Sequence, residues 1–594
     1  HWPVPVWLNK AESDANFEKL TLFLLENSDV LTPQFATHNV RSVAHAIAQA
    51  NRLKIDPRLY EFQTLFGMAN DLKLALVQNG YRVREYAPVG ELLPGMAYLV
   101  RRLLENSSNE GFLGQRHRQS HELLLSNPLA SLPPDTHPPP PRKTGFVNVA
   151  NTDFTHPRAH SVIHQALAEM KNELGRQYPL VINGRRIVTG RFEPSLNPAH
   201  PDKVVGYWAV ATEKEAEAAV QAACQARARW AATPVDERAE LLDRLAERIA
   251  AHRAQLTALE ILEVGKPWSE ADADISEAID FCHYYAEEMR RTGHPRLTQE
   301  VAGEQNHLLP IPRGVGAVIA PWNFPLAILC GMTAAPLVAG NTLILKPAEQ
   351  SSVIAAVFMH LLEEAGVPPG VVNLLTGFGE EVGRYLVEHP KVDFITFTGS
   401  RCVGKSIWEA AGKTQPGQQN LKKVVCEMGG KNAIIIDETA DLDEAIPAAI
   451  SSAFAYAGQK CSALSRLIVL APIYDVCVER FIGAMKALPV GDPALPGTVV
   501  GPVIDAAAKA RIGQAIENAK RHATLAAQGS LQNAPAHGYF VPPTVFTDVN
   551  PLSELAQEEI FGPVVAILKA HSLDEAFAIA NGTADALTGG IFSD

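Results

Sequence analysis

The runs VGAVIAP (315–321), NTLILKP (341–347), VDFITFTG (392–399) and NAIIID (432–437) decide the fold. Each is short, apolar and rich in branched side chains. A strand with one wet face alternates polar and apolar residues, whereas an unbroken apolar run is a strand covered on both faces. Every run ends in turn or cap chemistry and leads towards a helical pattern, so the strands are parallel and joined by crossovers. That pattern is an α/β, doubly wound architecture, in which ligands bind beyond the carboxyl ends of the strands.

Working outward, Thr212 and Glu215 form a capping-box signature opening a long amphipathic helix, and Thr233–Pro234 opens another with proline at its first position. Further upstream, VLTPQFATH (30–38), YEFQTLFGM (60–68) and YRVREYAPVG (81–90) are strand-like runs, each followed by amphipathic sequence. Strand–helix alternation at this interval predicts βα units around a parallel sheet. Between these regions, Pro128 to Pro141 holds seven prolines, a stiff spacer that continues neither a helix nor a central strand. A helical pattern follows at 161–175. No internal repeat of fixed period is present.

At 594 residues the chain is too long for one core. Its net charge of −13 excludes a general nucleic-acid binder, which needs a basic surface. The seven cysteines are dispersed, with no C-x-x-C pair and no histidine at zinc-ligand spacing. They read as reduced thiols of a cytosolic chain, with no metal site expected. No apolar run reaches membrane-spanning length. The opening HWPVPVWLNK lacks the basic flank and apolar core of a signal peptide, and lacks an initiator Met. The chain is expected to be an internal piece of a longer protein.

Six blocks carry the chemistry: PWNFP (321–325), LKPAEQ (345–350), FTGSRCVG (397–404), EMGGKN (427–432), GQKCSA (458–463) and EEIFGPV (558–564). In this order they resemble the aldehyde dehydrogenase superfamily from about Tyr178 to the end. Aldehyde oxidation needs a soft nucleophile, an oxyanion site, a hydride acceptor and a base for hydrolysis. Cys461 supplies a side chain that is both nucleophilic and able to leave from a thioester, although an isolated cysteine is usually buried and inert. Glu427, beside two glycines, is free to rotate towards a water, although a turn glutamate is usually only solvated. Asn323, in an apolar turn, must satisfy its amide, and an N–H aimed at a developing oxyanion does so. The resemblance makes Cys461 the nucleophile, Glu427 the deacylating base, and Asn323 with the Cys461 amide the oxyanion site. It places Phe324 on the substrate's aliphatic chain.

For the cofactor, GFGEEVG (377–383) does not match the dinucleotide fingerprint G-x-G-x-x-G. The resemblance implies NAD bound otherwise, with Gly399 and Ser400 opening a helix near the pyrophosphate, which suits anion binding at a helix start. Lys346 and Glu349 resemble the adenosine-ribose contacts. A carboxylate at Glu349 accepts from a 2′-hydroxyl and repels a 2′-phosphate, favouring NAD over NADP. Glu559 and Phe561 resemble the contacts to the nicotinamide ribose.

The first region names the aldehyde. YEFQTLFGM, REYAPVG and YLVRRLLEN (98–106) resemble the closing strands and last helix of a proline dehydrogenase (βα)8 barrel. Fused to an aldehyde dehydrogenase, that is the arrangement of the bifunctional bacterial proline utilization A family. The resemblance implies that Arg101 and Arg102 grip a substrate carboxylate, a task suited to paired guanidinium groups. It puts Tyr86 and Tyr98 at the proline site and His38 and Glu105 near a flavin, with FAD held by the complete barrel of the parent protein. Ser462 matches a position binding the carboxylate of L-glutamate γ-semialdehyde, the implied aldehyde.

The expected domains are 1–120, the C-terminal part of the barrel; 121–177, linker and connecting helix; 178–428, NAD-binding; and 429–594, catalytic. The expected partner is a small-molecule substrate, with no nucleic acid. The resemblance implies a homo-oligomer, a bacterial cytoplasmic location and peripheral membrane association through the proline dehydrogenase half. The alternatives are an aldehyde dehydrogenase of other specificity, including a CoA-acylating one, and a non-catalytic nucleotide-binding fragment.

Overall fold

The computed structural model describes residues 10–87, 89, 90, 96, 100, 125–128 and 146–594. It divides into two compact units, Trp2–Arg142 and Lys143–Asp594.

In the first unit, strands Gln34–Ala36, Glu61–Leu65 and Val83–Tyr86 form a parallel sheet in that order. Helices Val40–Leu53 and Asn70–Gln78 make the crossovers. The first strand is shorter than its apolar run because Pro33, which has no N–H to donate, stands immediately before it. Phe35, Tyr60, Phe62, Val43 and Leu76 form the core.

In the second unit, the order of the first sheet is Lys423–Glu427, Phe394–Thr398, Val315–Ile319, Thr342–Lys346, Val372–Leu374, Leu180–Ile182 and Arg185–Ile187. The first five strands are parallel, and the last two are added antiparallel. Strand Val315–Ile319 is buried throughout, and its side chains alternate between two cores. Val315, Ala317 and Ile319 face the core that includes Val220 of helix Glu213–Ala231, while Val318 faces that of helices Val235–Ala251 and Ser352–Ala365. The runs leading from this strand go to neighbours on opposite sides, so its carboxyl end lies at the switch point where α/β sheets open a crevice.

The second sheet runs Thr524–Gln528, Thr544–Thr547, Val564–Ala570, Leu464–Leu470, Asn432–Ile436 and Gly589–Phe592, all parallel except the first pair. The chain passes from one sheet to the other through residues 428–431.

Two helix starts differ in detail from expectation. The capping box at Thr212 and Glu215 is present, but Pro234 is extended (ψ 148°) and stands at the cap, so that helix begins at Val235. The pattern at 161–175 folds as Pro157–Met170, opened early by the His156 side chain accepting from the Arg158 N–H at 3.3 Å. This helix packs Ile163 and Leu167 against Ile261 and Trp268 of the second unit. The extended segment before it is stitched down by helix carboxylates. Asp280 accepts from the Val149 N–H and Asp272 from the Thr152 N–H, both at 2.7 Å.

Candidate active site

Cys461 stands in the turn between helix Leu442–Phe454 and strand Leu464–Leu470. Three successive residues before it are left-handed: Tyr456 (φ 51°), Ala457 (φ 54°) and Gly458 (φ 67°). For the two non-glycine residues this conformation costs about 1–2 kcal/mol each, so the surroundings must over-determine it. They do. The Tyr456 hydroxyl donates to the Val264 carbonyl at 2.8 Å. The buried Gln459 side chain accepts from the Ile504 N–H at 2.9 Å and donates to the carbonyls of Tyr456 and Pro502. On the far side of the turn, Asn432 Nδ2 donates to the Cys461 and Ala463 carbonyls at 2.7 and 2.9 Å.

Asn323 lies past the carboxyl end of strand Val315–Ile319 and is buried. Its Nδ2 donates to the Gln459 carbonyl at 3.0 Å, two residues before Cys461. An amide nitrogen carries two hydrogens, so one remains for an oxyanion. Glu427 ends strand Lys423–Glu427, its side chain exposed and its carbonyl accepting from the Gly399 N–H at 3.1 Å. Gly429 and Gly430, just beyond, are closely approached, Gly430 by backbone and Gly429 by the Glu559 carboxylate. A Cβ on Gly429 would lie 2.1 Å from Glu559 Oε2, and one on Gly430 would lie 2.6 Å from the Cys461 carbonyl oxygen. Glu559 Oε1 accepts from the Gly430 N–H at 3.1 Å.

Burial raises the Cys461 thiol above the ordinary range for cysteine, and the negative charges of Glu559 and, more weakly, Glu427 raise it further. The backbone N–H groups of Ser462 and Cys461 point at the sulfur and oppose the rise. These amides also suit a nascent oxyanion beside the sulfur. Because the thiolate is the reactive form, alkylation of Cys461 by iodoacetamide should accelerate as pH rises through this elevated range. Glu559→Gln keeps an acceptor for Gly430 but removes the charge, so the alkylation profile should move to lower pH. Peptide mass spectrometry resolves Cys461 from the exposed Cys402. An unmoved or upward-shifted profile contradicts this electrostatic assignment.

The residues expected to hold a cofactor form a second group. Lys346 is buried at the end of strand Thr342–Lys346 and its ammonium contacts Glu349 Oε1 at 2.9 Å. The same oxygen accepts from the Gly379 N–H at 3.0 Å. Ser400 caps helix Arg401–Gly412, accepting from the Val403 N–H at 3.4 Å. A Cβ on Gly404 would lie 2.7 Å from Met428 Sδ, so this helix start sits against the residue after Glu427. The exposed N–H groups of such a start suit a pyrophosphate, and the Lys346–Glu349 pair suits a ribose diol. Phe561 is left-handed (φ 54°) and packs edge-on to Trp322 at 5.6 Å.

Other expected residues are placed as follows. Phe324 is half-buried, and one face of its ring carries the Lys266 ammonium at 4.3 Å. Ser462 is exposed beside Cys461. In the first unit, His38 Nε2 accepts from the Leu65 N–H at 3.0 Å, and burial lowers its pKa. Tyr86 ends the third strand with its side chain exposed. Tyr98, Arg101, Arg102 and Glu105 lie outside the described residues. Sequence reasoning missed Asn432 and the buried group Glu260, Lys266 and Asp274. Asn432 had a signal, since an amide entering an apolar strand must find partners.

The aldehyde dehydrogenase family model matches residues 188–594, and the proline dehydrogenase model matches residues 1–115. The 1-pyrroline-5-carboxylate dehydrogenase of Geobacillus thermodenitrificans is 47% identical over 442 residues, 74% of this chain and 85% of that protein. The 1-pyrroline-5-carboxylate dehydrogenase 2 of Bacillus subtilis is 45% identical over 443 residues, covering 75% and 86%. Among solved structures, proline utilization A of Bdellovibrio bacteriovorus, inactivated by N-propargylglycine, superposes with a TM-score of 0.80 at 49% identity. The match covers all of this chain but 62% of that one, so the chain spans less than two thirds of its length. A Thermus 1-pyrroline-5-carboxylate dehydrogenase with bound NAD matches with a TM-score of 0.74 at 44% identity, over 76% of this chain and 87% of that one. With a doubly wound fold, a Cys461 turn pinned on both sides and a family match over residues 188–594, the chain belongs to the aldehyde dehydrogenase family.

Proposed function

We propose that this chain oxidises L-glutamate γ-semialdehyde to L-glutamate with NAD, as part of a bifunctional proline-catabolic protein. The observation that supports the reading is the bond from the Asn323 amide to the Gln459 carbonyl, in the turn of Cys461, with Glu427 at the carboxyl end of strand Lys423–Glu427. Relatives 45–47% identical that bear the name 1-pyrroline-5-carboxylate dehydrogenase support the substrate.

Cys461 gives its proton to solvent water and, as the thiolate, attacks the aldehyde carbon, while the second Asn323 N–H and the Cys461 amide hold the oxygen. NAD, when bound by Lys346, Glu349, Gly399, Ser400, Glu559 and Phe561, would accept the hydride from that carbon. The product on Cys461 is a thioester. Glu427 takes a proton from water, the water oxygen attacks the thioester carbon, and Cys461 leaves as thiolate. Phe324 lines the aliphatic chain of the substrate and Ser462 binds its carboxylate.

The domain limits proposed are 1–120, 121–177, 178–428 and 429–594. The first belongs to a proline dehydrogenase barrel that holds FAD when complete, with His38 and Glu105 near the flavin and Tyr86, Tyr98, Arg101 and Arg102 about proline. The whole protein is proposed to be a cytoplasmic homo-oligomer associating peripherally with the inner membrane. No helix among the described residues is long and apolar enough to cross one.

The test is NADH formation with a panel of aldehydes. A strong preference in kcat/KM for glutamate γ-semialdehyde over propanal and other aldehydes lacking the carboxylate is expected. Equal or lower kcat/KM for the semialdehyde overturns the substrate assignment.

A further inference from the structure

Behind the site lies a group of ionisable side chains with no access to solvent. Lys266, Glu260 and Asp274 are all essentially inaccessible. The Lys266 ammonium donates to Asp274 Oδ1 at 3.0 Å and stands 3.5 Å from Glu260 Oε2. Replacing such a group by apolar residues is often neutral or stabilising, so burial of three ionisable side chains is weak evidence of a stability role. Their other contacts point elsewhere.

The second oxygen of Asp274 accepts from the Leu326 and Ala327 N–H groups at 3.1 and 3.0 Å. These amides open helix Ala327–Val338, immediately after the PWNFP loop. The Lys266 ammonium lies 4.3 Å from the centre of the Phe324 ring, the residue next to Asn323. It also lies 5.4 Å from the centre of the Tyr456 ring, the first left-handed residue before the nucleophile. Tyr456 in turn donates to the carbonyl of Val264, two residues before Lys266. One desolvated cation is therefore shared by the loop carrying Asn323 and the turn carrying Cys461. A cation–π contact is stronger when it is desolvated than when it is exposed.

We infer that Lys266 is a positioning residue. It holds the Asn323 loop and the Cys461 turn in register so that the Asn323 amide and the backbone N–H of Cys461 converge on one oxyanion. Glu260 and Asp274 hold the ammonium in place, and Asp274 also anchors the end of the PWNFP loop. The inference rests on the covalent aldehyde-oxidation reading above.

The test is a double-mutant cycle on the intact protein, using Lys266→Met, which keeps the length and apolar stem, and Asn323→Ala. Removing one oxyanion donor costs roughly 10²–10³ in kcat. Lys266→Met alone should lower kcat by a large part of that factor, with the aldehyde KM and the NAD dissociation constant within about twofold. The double variant should be no slower than Asn323→Ala alone, because both changes remove the same interaction. Multiplicative losses, or a Lys266→Met variant with normal kcat, overturn the positioning role. If Lys266→Met does not fold, Lys266→Gln combined with Asn323→Ala decides on the same criterion, since it removes the cation and leaves a polar partner for Asp274. Asn323→Ala with undiminished kcat defeats the catalytic reading itself, a separate result from a failed cycle.

Discussion

Replacing Cys461 with alanine is expected to abolish aldehyde oxidation, lowering kcat by on the order of 10⁴-fold or more, the scale on which loss of a covalent nucleophile acts. No neighbour can substitute. The six other cysteines are Cys224, Cys282, Cys330, Cys402, Cys426 and Cys477, and none stands in the turn held by Asn432 and Gln459. The fold should tolerate the change, because alanine leaves every backbone hydrogen bond of the turn in place. NAD affinity, measured by tryptophan fluorescence quenching, should stay close to that of the parent. Retained turnover in Cys461→Ala refutes the mechanism, whatever the substrate proves to be.

The second large effect concerns Glu427. Glu427→Gln keeps the shape at the end of strand Lys423–Glu427 but cannot take a proton from water. Acylation should proceed and deacylation should slow by roughly 10²–10⁴-fold, the usual contribution of a positioned general base. A rapid mixing experiment should therefore give a burst of about one NADH per active site, followed by a slow phase. The loss of one negative charge near the sulfur should also ease thiolate formation, so the burst itself should not be slower than in the parent. A uniform slowing with no burst places Glu427 in acylation instead.

The catalytic sheets were legible in the sequence because strands buried on both faces are near-continuous apolar runs, and Val315–Ile319 and Thr342–Lys346 are wholly buried. The capping box at Thr212 was legible for a different reason, since it depends on two residues three apart. The strained turn before Cys461 was not. Tyr456 and Ala457 are left-handed without being glycine or asparagine, and only contacts distant in the chain hold them so. The Glu260, Lys266 and Asp274 group was hidden because charged residues on helices and in the turns between them ordinarily face water. Phe324 shows the limit of a motif. Its position beside Asn323 was readable, but the cation against its ring comes from a segment more than fifty residues away.

The central claim is that glutamate γ-semialdehyde is oxidised while covalently held by Cys461. The most direct measurement is peptide mass spectrometry of Glu427→Gln, acid-quenched after mixing with the semialdehyde and NAD. The account predicts a glutamyl thioester on the peptide containing Cys461, formed with the NADH burst and removed by hydroxylamine. A burst of NADH with Cys461 unmodified would contradict it.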